Sequence, residues 1–348
     1  MSHGTFANTF RVAATYSGAI IGAGFASGQE LTQFFVLYGS NGLLGIVLAG
    51  ILFAWLGSRL LELGCHLKAT GYHQLLYYVC GTKTGFILDM MIALFLFSVL
   101  SVMLAGAGTI CRDQFGLPYW LGLAVTALAV TLTALRGIDG VTTANMFITP
   151  VLATTMLVIG LSCLAYHGLD SDLFHLSPQP TDWPAPCWPL ASLLYVSYNL
   201  VLGAAIIAPL GASVPKTARL LGSLIGGLTL TLLAGVTVLA VMLHYEEILT
   251  EEIPMLYIAG TQHDFNRLTY SLMFVAAIYT TALTNLYGCA AKLHSSTRFS
   301  FSASLLIVIS LSMLCSQFGF ADLIVALYPI FGYAALWFSI RLCFARIP

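Results

Sequence analysis

Apolar residues run through this chain in long blocks, and the polar residues gather in the gaps between them. Runs of about 17–27 residues, each long enough to cross a bilayer as a helix, cover residues 10–36, 42–65, 85–110, 117–135, 143–166, 188–212, 217–243, 266–290, 300–316 and 320–343. The pattern predicts an all-α polytopic membrane protein with ten transmembrane helices. Two connections are long and acidic: 167–187 carries Asp170, Asp172 and Asp182, and 244–265 carries Glu246, Glu247, Glu251, Glu252 and Asp264. No segment is long enough for a separate soluble domain, so residues 1–348 read as one transmembrane unit.

Composition narrows the class. The chain is 59% hydrophobic and 8% charged, with a mean hydropathy of +0.91, which no soluble domain of this size sustains. The first apolar run is too long, and too soon followed by others, for a cleavable signal peptide. With the N-terminus in the cytoplasm and ten alternating spans, 11 of the 13 lysines and arginines fall on the cytoplasmic side and only Arg112 and Arg267 outside. That is the asymmetry expected of an inner-membrane protein with both termini in the cytoplasm. A missed or invented span would destroy it.

Enzyme readings find little support. There is no phosphate-binding glycine loop, no serine–histidine set at membrane depth and no basic face for nucleic acid. The eight cysteines are scattered without a CxxC pair, and the eight histidines form no HExxH or HxxxH pair. They read as packing and loop residues, so neither a disulfide framework nor a metal centre is expected. Tyr119, Trp120, Trp183 and Trp188, near span ends, read as interfacial anchors.

Two spans carry a different signal. Residues 15–30 hold Gly18, Gly22, Gly24 and Gly28 and end in Glu30. A helix-interior glycine costs about 1 kcal/mol relative to alanine. A charge at bilayer depth costs about 2.5–3.5 kcal/mol on insertion scales. Irregular backbone at that depth survives only where protein or a cavity surrounds it, although small-xxx-small spacing also serves plain helix packing. The sixth span holds Tyr198, Asn199 and Gly203 and then Pro209. Spans 1 and 6 occupy matching places in two halves of five spans, about 10–166 and 188–343. An odd span number inverts the second half relative to the first. Paired interruptions at matching places of inverted halves point to a transporter site.

The Gly-Ala-Gly-Phe-Ala-Ser-Gly-Gln-Glu stretch, the span count and the two interrupted spans resemble the YkvI-type bacterial membrane proteins of the amino acid–polyamine–organocation superfamily. Its members share the five-plus-five inverted repeat of the leucine transporter LeuT. The resemblance implies helices 1 and 6 broken at mid-membrane. It implies a substrate carboxylate held by backbone N–H groups of Gly22, Ala23, Gly24 and Phe25, with Tyr198, Asn199 and Gly203 beside it and Ser101 of span 3 lining the cavity. It also implies a sodium site made of the Gly18, Ile21 and Ala277 carbonyls and the Thr280 and Thr281 hydroxyls. Positions i, i+3 and i+4 share a helix face, so that spacing in span 8 is chemically coherent.

The resulting expectation is alternating-access symport of Na+ with a small amino acid or related amine, in the lipid bilayer and without a nucleic-acid partner. Span 5 lacks the lysine that replaces sodium in proton-coupled relatives, which favours sodium. Glu30 reads as a gate, an amine partner or a proton carrier. Asp89 reads as a solvated or capping group. Two rival readings stand beside this one: a proton-coupled transporter that uses Glu30, and an amino-acid sensor resembling germinant-receptor subunits.

Overall fold

The computed structural model describes residues 3–69, 72–168, 184–249, 251–317 and 320–345. Asp170, Asp172, Asp182, Trp183 and Arg346 of the sequence reading lie outside them. The described elements are all helical. The chain opens with α1 (His3–Ile20), α2 (Ala23–Ser27) and α3 (Gln29–Phe34), three pieces of one stretch, and then a 3-10 turn at Val36–Tyr38. There follow α4 (Ser40–His66), the short α5 (Tyr72–Cys80), α6 (Thr82–Phe115), α7 (Tyr119–Ala134) and α8 (Ile138–His167). The second half holds α9 (Trp188–Ala212), α10 (Lys216–Met242), α11 (Tyr245–Ile248), α12 (Pro254–Gln262), α13 (Asp264–Ser296), α14 (Phe301–Cys315) and α15 (Phe320–Phe344).

Among the described residues, α4, α6, α9, α10, α13 and the Phe147–His167 part of α8 are six segments long and apolar enough to cross a membrane. Helices α7 and α14 are apolar but shorter, with 16 and 15 residues, about 22–24 Å at 1.5 Å per residue. Several helices turn an apolar stripe outward. On α4 it is Leu44, Val47, Ile51 and Trp55; on α10 it is Leu220, Leu224, Leu228 and Leu232. The three- and four-residue spacing makes each stripe one face. Exposed leucine on a helix this apolar is the surface a lipid chain covers.

Inside, close helix contact depends on small residues. Where α4 meets α9, a Cβ at Gly64 would strike the Ala208 backbone and one at Gly211 would strike the Leu61 backbone. The two helices therefore touch main chain to main chain at two positions about one turn apart, near their C-terminal ends. Where α10 meets α1, Gly222 lies against Val12 and Gly226 against Tyr16. Tyr16 then reaches across and donates to the Phe53 carbonyl of α4 at 2.7 Å. Helices α1, α4, α9 and α10 thus form one tightly joined group. A second set of contacts joins α6 to α13, α7 and α15, and α13 to α8 and α14.

The first helix is interrupted where the glycines cluster. The α-ladder stops at Ile20, Gly22 takes an extended conformation, and α2 starts at Ala23. A second interruption falls at Gly28, whose φ of +81° is the left-handed region that glycine adopts without strain. Span 6 corrects the sequence reading: α9 runs as one helix from Trp188 to Ala212, through Tyr198, Asn199 and Gly203. The Asn199 side chain donates to the Tyr195 carbonyl one turn back at 3.0 Å, a local bond compatible with a continuous helix. Gly203 faces Ala19 of α1 and serves close packing.

Candidate functional site

At the first interruption the chain must find partners for helix-start N–H groups that have none within α2. Gly22 N–H turns back to the Ile20 carbonyl at 2.9 Å. Ala23 N–H donates to Thr281 Oγ1 of α13 at 3.1 Å, so a side chain 258 residues away caps the helix. A Cβ at Gly22 would approach Thr281 Oγ1 to 3.2 Å, which shows how closely α13 lies against the break. These bonds correct one expectation: Gly22 and Ala23 are not free donors in this conformation, which leaves the amides of Gly24 and Phe25 at the start of α2.

Glu30 fills the space beside them. Its carboxylate folds back over Gly24, where any Cβ would collide with Oε1. Tyr198 of α9 donates to Glu30 Oε2 at 2.6 Å, and the Tyr328 hydroxyl of α15 donates to the same carboxylate. Glu30 is buried, and none of the ion pairs found among the described residues involves it. Aromatic rings enclose the group. Tyr198 lies 5.7 Å from Phe34, 5.8 Å from Phe95, 5.6 Å from Tyr195 and 5.2 Å from Tyr328, centroid to centroid. Phe331 stacks on Phe95 at 4.2 Å.

The structure thus draws Gly24, Glu30 and Tyr198 together, and separately Gly22, Ala23 and Thr281. Thr280 stays within its own helix, donating to the Ala277 carbonyl at 3.0 Å. Gly18 faces Thr149 of α8, whose Cγ2 would lie 3.2 Å from a Cβ there. Ile21 N–H returns to Ser17 at 2.9 Å. The Ser101 hydroxyl bonds back to Phe97 at 3.1 Å, so it is engaged within α6. Sequence reasoning missed Tyr328, Phe95 and Tyr195. The Tyr328-Pro329 pair inside an apolar run was a usable signal, as was the i, i+3 spacing of Tyr195 and Tyr198.

Both approaches to Glu30 are covered. On the acidic-loop side α12 lies over the second interruption, with Met255 and Pro254 against Gly28, and Tyr270 of α13 donates to the Ala26 carbonyl at 2.5 Å. Beyond α12 a cavity of about 670 Å³ opens, lined by Thr109, Arg112, Glu252, Tyr257 and Arg267. On the opposite side an ion pair joins Lys292 of α13, which is partly exposed, to the buried Asp89 of α6. Asp89 is 1% exposed, which corrects the expectation of a solvated group. Tyr72 of α5 donates to Asp89 Oδ1 at 3.1 Å. Burial first, then the Asp89 charge, hold the Tyr72 phenol well above its ordinary range, so it remains a donor.

The architecture is a LeuT-like fold. The chain is 28% identical over 347 residues to the Bacillus subtilis membrane protein YkvI, covering 97% of this chain and 96% of that one. It is 29% identical to YyaD of the same organism, over 93% of each. Among solved structures, inward-facing Mhp1 superposes with a TM-score of 0.66 at 16% identity, covering 94% of this chain and 73% of Mhp1. MhsT in complex with L-phenylalanine gives 0.67 at 13% identity, over 95% and 87%. A Na+-coupled sialic acid symporter gives 0.60 at 11% identity, over 93% and 75%. No protein-family model matches the chain.

Proposed function

We propose that this protein is a secondary active transporter that moves a small amino acid or related amine by alternating access, coupled to sodium. The observation that carries the proposal is the juxtaposition at the interrupted first helix. A buried carboxylate, Glu30, and an interhelical hydroxyl, Thr281, meet the same short segment from opposite sides. A carboxylate held by two phenols among aromatic rings, in none of the ion pairs found among the described residues, is a site for an ammonium group. A second carboxylate brought alongside Glu30 would be repelled, so the solute's amine end belongs there. Any carboxylate it carries belongs away from Glu30, which itself occupies the space over Gly24. Several of the solved neighbours are transporters or symporters by their descriptions, and one is Na+-coupled, which supports the class.

The sodium assignment rests on oxygen donors. Thr280 and Thr281 offer hydroxyls and Gly18, Ile21 and Ala277 offer carbonyls, the hard ligands that Na+ takes. In this conformation Thr280 and Thr281 spend those groups on Ala277 and Ala23. Sodium entry would exchange these bonds for coordination and draw α1 toward α13.

Ten crossings, made by α1–α3, α4, α6, α7, α8, α9, α10, α13, α14 and α15, fit two inverted halves. The helix contacts support this. Exchanging each helix of the first half for its counterpart in the second turns α4·α9 into α10·α1, α6·α7 into α13·α14, and α13·α8 into α6·α15, and all six contacts occur. The termini would lie in the cytoplasm of a bacterial inner membrane, with the α11–α12 corner outside.

One observation favours a second reading. Glu30 has no cationic partner among the ion pairs found, so a proton could serve as its coupling ion. Uptake of labelled amines into proteoliposomes separates the two. Accumulation driven by an imposed sodium gradient at symmetric pH supports sodium coupling. Accumulation driven by a pH gradient without sodium supports the proton reading. Binding without accumulation under either gradient would overturn transport and favour a sensor.

A further inference from the structure

Cys163 and His167 stand four residues apart near the C-terminal end of α8 and share one face of that helix. His244 follows the end of α10, 81 residues from Cys163 in sequence. The fold brings all three side chains to one point. Cys163 Sγ lies 3.7 Å from His244 Nε2 and 3.9 Å from His167 Nδ1. The two imidazoles meet edge to face at 4.8 Å. One ligand atom from each of the three lies within 4.8 Å of the others. Cys163 and His244 are buried and His167 is exposed, so the cluster has a fixed inner wall and one side open to solvent.

These distances are close to those of a metal centre. With Zn–S near 2.3 Å and Zn–N near 2.0–2.1 Å at tetrahedral angles, sulfur and nitrogen ligands stand about 3.5 Å apart. The Cys163–His244 distance is already close to that edge, and a small rotation of the exposed His167 ring closes the third. A thiol with two imidazoles is a borderline-soft set that suits zinc, and it lacks the carboxylates that calcium or magnesium requires. His167 Nδ1 also lies 3.2 Å from the Cys163 backbone carbonyl, a contact that metal binding would exchange for coordination. Glu246 and Glu247 open the neighbouring α11 and give this corner the charge that draws a cation in.

We propose that Cys163, His167 and His244 bind one zinc-class divalent cation at the outer corner where α8 meets the end of α10, with the fourth position open to water. Binding releases the Cys163 thiol proton to solvent and ties α8 to the α10–α11 corner. The site stands apart from Glu30 and Thr281 and does not depend on the transport reading.

Cobalt(II) is the probe. The full chain, purified in detergent and stripped with chelator, is titrated with Co2+ and the absorption recorded. The expected result is a thiolate-to-cobalt charge-transfer band with tetrahedral d–d bands, saturating at one ion per chain and bleached by one equivalent of Zn2+. Cys163→Ser abolishes the charge-transfer band. His167→Ala, at an exposed position that the fold does not need, weakens binding at least about tenfold, as loss of even an outer-shell partner does. His263→Ala, at a histidine outside the cluster, leaves the titration unchanged. Absence of the band in the wild-type chain, or its persistence in Cys163→Ser, would overturn the proposal. So would zinc stoichiometry and affinity that His167→Ala leaves unaltered, which would identify adventitious binding elsewhere.

Discussion

Tyr198 donates a 2.6 Å hydrogen bond to Glu30 across 168 residues of sequence, and that bond joins the interrupted first helix to the unbroken α9. It fixes the one buried carboxylate of the central site against two helices that any alternating-access movement would have to carry together. Hydrogen bonds to charged groups contribute about 1.5–3 kcal/mol. Tyr198→Phe should therefore lower thermal stability in detergent and weaken solute binding by roughly tenfold or more. Tyr328→Phe should do the same. Because both phenols hold one carboxylate, the double variant should lose less than the sum of the two. Additive losses, measured by thermal unfolding, would mean that the two tyrosines act on separate groups.

Gly24 is required by Glu30. Gly24→Ala places a methyl where Oε1 sits, so the carboxylate must leave its phenol partners. The expected outcome is a folded protein, recovered monodisperse, with solute binding lost. Adding Glu30→Ala to Gly24→Ala should restore stability but not binding. Solute binding in Gly24→Ala equal to wild type would show that Glu30 does not need its observed position.

Thr281 has one observed role, the cap on Ala23 N–H, and one proposed role, a sodium ligand, and the two separate experimentally. As the cap on Ala23 N–H, its loss leaves a buried donor unpaired, at about 1–3 kcal/mol. As a sodium ligand, its loss raises the sodium concentration needed for uptake. Thr281→Val should show both effects. Thr281→Ser, which keeps the hydroxyl, should show little of either. Thr280→Val leaves the cap intact and should show the sodium effect alone. Unchanged sodium dependence in both valine variants, read in proteoliposome uptake, would count against the ion site.

On the side of the molecule opposite α12, Lys292 pairs with the buried carboxylate of Asp89. Removing one partner from such a pair leaves an uncompensated buried charge, at about 3–5 kcal/mol. Asp89→Asn and Lys292→Met should each destabilise strongly, and the double variant should recover most of the loss. Tyr72→Phe, which removes a second donor to Asp89, should cost less than either. Additive losses in the double variant would mean that the two groups do not interact.

The helical, membrane-spanning character of the chain was legible because the length of an apolar run is a one-dimensional signal. The run 117–135 became α7 at Tyr119–Ala134, and 300–316 became α14 at Phe301–Cys315. The first interruption was legible too, from the density of glycines at residues 18–28 together with Glu30 just beyond them. Gly203 misled, because a glycine that lets α9 touch Ala19 and one that ends a helix look the same in sequence. The rest of the site depends on pairings far apart in the chain. Nothing near Asp89 announces Lys292. Nothing near Tyr328 announces Glu30. Nothing near Cys163 announces His244. The helices α5, α11 and α12 were read as connections because they are short, although α12 covers the site.

Thermal stability of the purified chain in sodium, potassium or choline chloride at equal ionic strength, each with a panel of amines and amino acids, would settle whether Glu30 and Thr281 serve one ligand-binding cycle. A ligand at one hundred times its dissociation constant adds about 2.7 kcal/mol to a folded state that alone binds it. The predicted result is stabilisation specific to sodium and deepened by amine-bearing solutes. Glu30→Gln should abolish the solute part and Thr281→Val the sodium part. Stabilisation that is indifferent to the cation, or that survives both substitutions, would contradict it.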